Sequence, residues 1–344
     1  MSSWFFKRLV HKCVAVATLA VACTGSFAQD TKLSIALSSF SVAQALSFIA
    51  VDAGFFKKER LDVTLVDARS GASAIQAALS GSVELATGSF DSTLNATAQG
   101  KMVYTPLRLY SGQPGYLVVT KKLAAASKLA ANAPVMERLK ALKGATLASP
   151  SQSSTFTVML KQAAEAAGVN VIVTYVASEG MVAALSTGNV DGVIVSSPYA
   201  ERAIAQGFGV LWVDGPKGEF PGTESDDLVV PLSVPAPYYA ANREVVERVI
   251  RAYIAAAEFV KSNPDAAAKS IRPRFAALDD ALFNLVWERN MPAFTKVVPN
   301  AAAVKRTQNN ATGAFAAQVK ALDPESMLLS DVVKKVQASV PGAR

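Results

Sequence analysis

Apolar positions along the chain fall into short runs divided by Gly, Ser and Asp, and two series of runs resemble each other. In the first, a strand-like run at Leu33–Leu37 passes into Ser38-Ser39-Phe40-Ser41 and then into an Ala-rich segment that stops at Gly54. In the second, Ala145–Ala148 passes into Ser151-Gln152-Ser153-Ser154-Thr155 and a helical segment that stops at Gly168. Short apolar runs have strand length, while longer amphipathic stretches closed by glycine have helix length and a C-terminal cap. A second strand follows in each series, "LDVTLVDA" and "VNVIVTYV", then a helix, "SGASAIQAALSG" and "SEGMVAALSTG". Ser70 and Ser178 are placed as their N-caps. Each series ends on a third strand with a Ser-bearing loop, "AALSGSVELATGSFDS" from Ala77 and "AALSTGNVDGVIVSSPYAE" from Ala183, which align Ser89 with Ser196.

The pattern predicts β-loop-α-β-α-β in duplicate. Strands alternating with helices pair in parallel through right-handed crossovers. The expectation is therefore an α/β protein with two similar lobes rather than one large sheet. After about Gly222 the composition changes. An extended stretch, "SDDLVVPLSVP", leads into helical segments without counterparts in the second copy, so they are expected to cover the first lobe. Phe283 and Trp287 are spaced i, i+4 as a core stripe would be.

Ligands of open α/β sheets sit outside the carboxyl ends of the strands, where loops lead into helices. Those loops supply Ser38, Ser39, Phe40, Ser41, Ser89, Phe90 and Asp91 from one copy. From the other they supply Ser151, Gln152, Ser153, Ser154, Thr155, Ser196, Ser197 and Tyr199. Serines there either cap helices or bind ligand. Hydroxyls and helix N-termini hold a sulfonate or carboxylate without a cationic side chain, and these loops carry no Lys or Arg. Arg108 shares a strand face with Tyr110 and points either into the cleft or to the surface. Asp91 either pairs with a ligand amine or caps the helix after its loop. The aromatic rings leave a ring-bearing ligand open.

Composition narrows the classes. Of 344 residues 51% are hydrophobic, enough for about two domains. Lys7, Arg8 and Lys12 precede the apolar run "VAVATLAVA" and the small residues Ser26 and Ala28, the pattern of an export signal cleaved after Ala28. Lipidation at Cys23 is the alternative. Cys13, Cys23 and His11 all precede Ala28, so the processed chain would hold no thiol and no imidazole. Its net charge of +7 less the three leader cations leaves +4, mild and without aromatic-rich basic stretches, so nucleic acid is not an expected partner. Without a base, serine chemistry is not expected, and no Ser-x-x-Lys occurs. The absence of a Walker A or G-x-G-x-x-G motif places any ATPase on another polypeptide.

"AVDAGFFKKERLDVTLV", "GASAIQAALSGSVELATGS", "LKGATLASP" and "REVVERVIRAYIAAAEFVKSNPDAAAKSI" resemble the periplasmic substrate-binding proteins of ABC transporters for nitrate, sulfonate and taurine, the NMT1/THI5-like group. The resemblance covers nearly all of the processed chain. It implies a two-lobed periplasmic binding protein fold (type II-like), a monomer that captures a small organic solute between lobes and delivers it to an ABC permease. The division expected is a signal peptide at 1–28, one lobe at 29–119 and 230–344, and the other at 120–229. Crossings are placed near Gly115–Thr120 and Val229–Pro235. Presentation of ligand to a membrane receptor is the alternative role. The group's thiamine-pyrimidine synthases rely on histidine and a Cys-rich iron segment that the processed chain lacks, so no enzyme activity, cofactor or metal is expected.

Overall fold

The structure, a computed structural model, describes residues 30–343 other than Ser151, Ser153, Thr312 and Gly313. The export segment and Cys23 lie outside the described residues. The first copy supplies β1 (Thr31–Leu37), β2 (Leu61–Asp67) and β3 (Leu85–Thr87), followed by β4 (Val103–Ser111). The second copy follows β5 (Gly115–Thr120) with β6 (Thr146–Ser149), β7 (Ile172–Tyr175), β8 (Gly192–Ser196) and β9 (Gly209–Asp214). The chain then returns through β10 (Leu228–Pro235).

These strands make two five-stranded sheets of one topology, β2-β1-β3-β10-β4 and β7-β6-β8-β5-β9. In each, the first three strands are parallel, with Thr31 opposite Leu61 in one sheet and Thr146 opposite Ile172 in the other. The fourth place is taken by an antiparallel strand newly arrived from the other sheet: β10 between β3 and β4, β5 between β8 and β9. Gly112–Pro114 carries the chain outward and Gly215–Asp227 carries it back. The two stretches expected to cross, Gly115–Thr120 and Val229–Pro235, are the strands that begin or run directly after each passage.

Sequence explains the local geometry. Ile35, Ala36 and Leu37 in β1, and Leu147 and Ala148 in β6, are fully buried, as in strands covered on both faces. Gly54 and Gly168 follow the helical segments in the left-handed region, at φ +77° and +67°, where glycine carries no Cβ penalty. Ser70 caps its helix, accepting from Ser73 N at 3.1 Å. Ser178 does not: it is the first helical residue, and Ala177 holds the cap position.

The C-terminal helices bury their apolar stripe on the first sheet. Val246, Ile250, Tyr253 and Ala257 from the helix Arg243–Ser262 share one core with Ile35, Leu37, Leu107 and Leu232. Phe283 and Trp287 join the same core, Trp287 stacked on Phe294 at 6.0 Å. Each buried Val, Ile, Leu or Phe side chain among them contributes about 1.5–3 kcal/mol. The second sheet has its own core around Leu117, Leu147, Leu160 and Trp212. Both sheets lie within the unit Thr31–Arg344.

Candidate functional site

The carboxyl ends of the parallel strands in both sheets open onto one cavity of about 590 Å³. That is the size range of pockets for small organic ligands. The first sheet contributes Ser38, Ser39 and Ser41 after β1, and Ser89, Phe90 and Asp91 after β3. Ser154, Thr155 and Phe156 after β6 and Ser196 at the end of β8 come from the second. Gln113 and Pro114 from the outward passage and Thr223 and Asp227 from the return close its side.

The hydroxyls are held differently. Ser38 Oγ accepts from Gln44 Nε2 at 2.9 Å, and the same amide nitrogen donates to the Thr87 carbonyl at 3.1 Å. Thr87 Oγ1 in turn donates to Gln44 Oε1 at 2.7 Å. Buried Gln44 thus ties the ends of β1 and β3 together beneath the cavity. Ser39 Oγ donates to Ser41 Oγ at 2.9 Å. Ser154 caps the helix Thr155–Ala166, accepting from Phe156 N at 3.2 Å. Ser89 occupies the N-cap position of the helix Phe90–Ala98, but its side chain makes no capping bond. Close approach fixes this loop: a Cβ on Gly71 would stand 2.5 Å from Ser89 N. On the opposite wall, a Cβ on Gly115 would stand 2.8 Å from the Phe156 ring.

Charge in the cavity is uneven. Among the described residues that line it, the one cation is Arg306, from the C-terminal helix Ala301–Asn309. Its guanidinium is engaged by two carboxylates, Asp226 and, at 2.8 Å, Asp227. Asp91 has no ion pair or side-chain hydrogen bond with any described residue. Asp91 is itself exposed on the cavity wall, and the protein around it raises its carboxyl above the usual carboxylate range by desolvation.

Several expected site residues lie elsewhere. Phe40 is 52% exposed, its ring against Phe48 at 5.6 Å and outside the cavity lining. Gln152 is exposed and also outside it, and Ser151 and Ser153 lie beyond the described residues. Arg108 is neither a cleft charge nor a surface one. It is buried in β4, donating to the Lys296 carbonyl at 3.0 Å and to the Asp226 carbonyl, because the return passage and the segment before Ala301 cover that strand. Tyr199 turns from the cavity toward Arg202, whose guanidinium stands 5.9 Å over its ring.

Ser197 also turns away, into a buried network joining the two sheets. It donates to Glu201 Oε1 at 2.8 Å and accepts from Asn290 Nδ2 at 2.8 Å. Asn290 Oδ1 accepts from Tyr110 of β4 at 2.7 Å and Tyr116 of β5 at 3.3 Å. Burial raises the Glu201 and Asp214 carboxyls, and Arg289 reaches them only at 3.6 and 3.9 Å. The neighbouring Ser196 faces the cavity, so one loop touches both ligand space and the junction.

Sequence reasoning missed Gln44, Gln113, Gln162 and Arg306. Only the Asp226-Asp227 pair before the extended stretch offered a signal, since two adjacent acids entering an apolar strand need a partner. Among the described residues no helix is long and apolar enough to cross a membrane, and no three His, Cys, Asp or Glu residues are grouped to hold a metal.

Solved structures share the fold. The periplasmic aliphatic sulphonate binding protein SsuA from Escherichia coli aligns with TM-score 0.67 at 17% identity, over 88% of this chain and 99% of that one. The alkanesulfonate-binding protein SsuA from Xanthomonas axonopodis pv. citri, bound to MOPS, aligns with TM-score 0.59 at 19% identity, over 89% and 98%. A DszB mutant in complex with biphenyl-2-sulfinic acid aligns with TM-score 0.61 at 12% identity, over 90% and 99%. No curated protein sequence matches the chain. Residues 27–272, well over half of the chain, match the NMT1-like family, and the chain belongs to that family.

Proposed function

We propose that the protein captures a small organic solute in the cavity between its two sheets and delivers it to an ABC importer on the outer side of the cytoplasmic membrane. One observation carries this reading: strand-end loops from both sheets, rich in hydroxyls, meet around a single cavity of ligand size. Ser89 and Ser196 bring hydroxyls that no described side chain occupies, and the helices Phe90–Ala98 and Thr155–Ala166 begin there with their positive dipole ends. Such groups suit the oxygens of a sulfonate or carboxylate. Family membership and the binding proteins among the structural neighbours agree with binding rather than catalysis.

In this reading the lobes are the two sheets with their covering helices, and the junction network around Asn290 is the hinge. In the same reading the N-terminal segment is an export signal and the processed chain works in the periplasm as a monomer beside its permease. Small-angle scattering with and without saturating ligand tests capture by closure: the radius of gyration should fall on binding. An unchanged profile at demonstrated saturation would contradict it.

A further inference from the structure

We propose that Arg289 is a latch between the lobes: as they close, its guanidinium, carried by a helix that covers the first sheet, bonds Glu201 and Asp214 of the second. This rests on the hinge assigned above and adds the contact that holds it shut. Arg289 and Asn290 end the helix Asp280–Asn290, whose Phe283 and Trp287 are packed in the first core. Glu201 belongs to the helix Tyr199–Ala205 and Asp214 ends β9, both in the second lobe. Arg289 Nε stands 3.6 Å from Glu201 Oε1, and Arg289 Nη1 stands 3.9 Å from Asp214 Oδ2. These distances allow attraction but are too long for hydrogen bonds. Three buried atoms at this one place, Arg289 Nε, Glu201 Oε2 and Asp214 Oδ1, make no hydrogen bond to a described residue. Buried polar groups without partners are costly, and here the donor sits on one lobe and both acceptors on the other. A small rotation of one lobe against the other is the movement that pairs them. The guanidinium also stands 5.7 Å over the Tyr116 ring, which keeps it beside the carboxyls. Glu201 is held ready by the Ser197 hydroxyl, which Asn290 binds in turn.

The charged and titratable groups facing Glu201 are Arg289, Asp214, Tyr110 and Tyr116, with Lys217 and Glu219 beside Asp214. Burial lifts both tyrosines far above the ordinary phenol range, so they stay neutral, and raises both carboxyls. With the guanidinium beyond bonding distance the carboxyls hold protons to higher pH than free carboxyls do. Drawing it in favours the carboxylates, so closure passes a proton from the pair to solvent, and higher pH favours the closed lobes.

The chain from Gln29 onward holds no cysteine, so Gln76→Cys and Lys161→Cys, both exposed on cavity-side helices of opposite lobes, accept one nitroxide label each. Pulsed electron–electron double resonance on this ligand-free protein reads its open and closed fractions. Raising the pH from about 5 to about 8 should raise the closed-to-open ratio about tenfold, the lower end for a hydrogen bond between charged groups. Arg289→Gln should abolish the rise, and Arg289→Lys, which keeps the charge, should retain part of it. Glu201→Gln, whose amide oxygen still accepts from Ser197, should reduce it. Arg289→Gln leaves the Arg306 pairs with Asp226 and Asp227 in place, so its effect isolates the junction. A ratio constant with pH when the junction is unaltered, or an equal rise in Arg289→Gln, overturns the latch and leaves capture by closure standing. Label distances that change neither with pH nor with propanesulfonate, benzenesulfonate or butyrate overturn the hinge as well. Should a variant not fold, the pH series on the unaltered junction still decides.

Discussion

Replacing Ser89 or Ser154 by alanine removes one hydroxyl from each wall of the cleft, yet the two changes should read out differently. Ser154 Oγ accepts from Phe156 N at 3.2 Å at the start of a twelve-residue helix. Loss of an N-cap of this kind costs about 1 kcal/mol. Ser89 holds the equivalent position on the helix Phe90–Ala98 without a capping bond, so Ser89→Ala should change stability by less than about 0.5 kcal/mol. Its hydroxyl is instead free for a ligand. Losing a bond to a neutral ligand atom costs about 0.5–1.5 kcal/mol and to a charged oxygen about 1.5–3. Affinity should therefore fall between about twofold and 100-fold. Urea unfolding followed by circular dichroism, and calorimetric titration with the tightest binder from a panel of small organic sulfonates and carboxylates, separate the two quantities on the same proteins. Because the serines stand on opposite walls, their effects on affinity should add to within about 0.5 kcal/mol. Unchanged affinity with lowered stability in Ser89→Ala would show that hydroxyl to be structural, and would remove the main hydroxyl contact assigned to the first wall.

Two further outcomes follow from the junction and the loop packing. Burial raises the Glu201 and Asp214 carboxyls above their unfolded values, so the folded chain holds protons to higher pH than the unfolded chain. Their contribution to stability is full below the unfolded carboxylate range, about pH 4, and is lost as pH rises through the raised folded values. Glu201→Gln should flatten that decline, measured as the difference in urea unfolding free energy between variant and unaltered protein across the range; parallel curves would contradict the assignment. Gly71→Ala places a methyl 2.5 Å from Ser89 N and 2.6 Å from Ser89 Cβ, against backbone that cannot swing aside. It should cost about 1–3 kcal/mol and weaken ligand binding by moving the Ser89 loop, and retention of both would show the loop to be more yielding than its packing indicates.

The duplicated β-loop-α-β-α-β unit was legible because local signals agree in both copies: apolar runs of strand length, glycines where helices stop, and Ser-bearing loops after the first and third strands. The antiparallel insertion of β5 and β10 was not. It depends on which edge a returning strand meets, a non-local pairing that no run of residues encodes by itself. The same division holds at the cavity. Ser38, Ser89, Asp91 and Ser154 follow directly from strand-end position. Arg306 comes about 200 residues after Ser89 on a helix with no repeat partner, and only folding brings it there. Arg108 shows the converse error: alternation along β4 set its face, but the return passage covers that face and takes up its guanidinium. Ser197 belongs to a cavity loop and yet turns toward the junction, where it bonds Glu201 and Asn290, while Tyr199 of the same segment lies under Arg202.

Binding in the interlobe cavity is tested most directly by native mass spectrometry of the gently purified protein, compared with a Ser89→Trp variant whose indole would fill the ligand space. The unaltered protein should carry one co-purifying small molecule per chain, with a mass matching a small organic sulfonate or carboxylate. The variant should be folded and empty. An adduct that persists unchanged in folded Ser89→Trp would place the ligand elsewhere and contradict the assignment of this cavity.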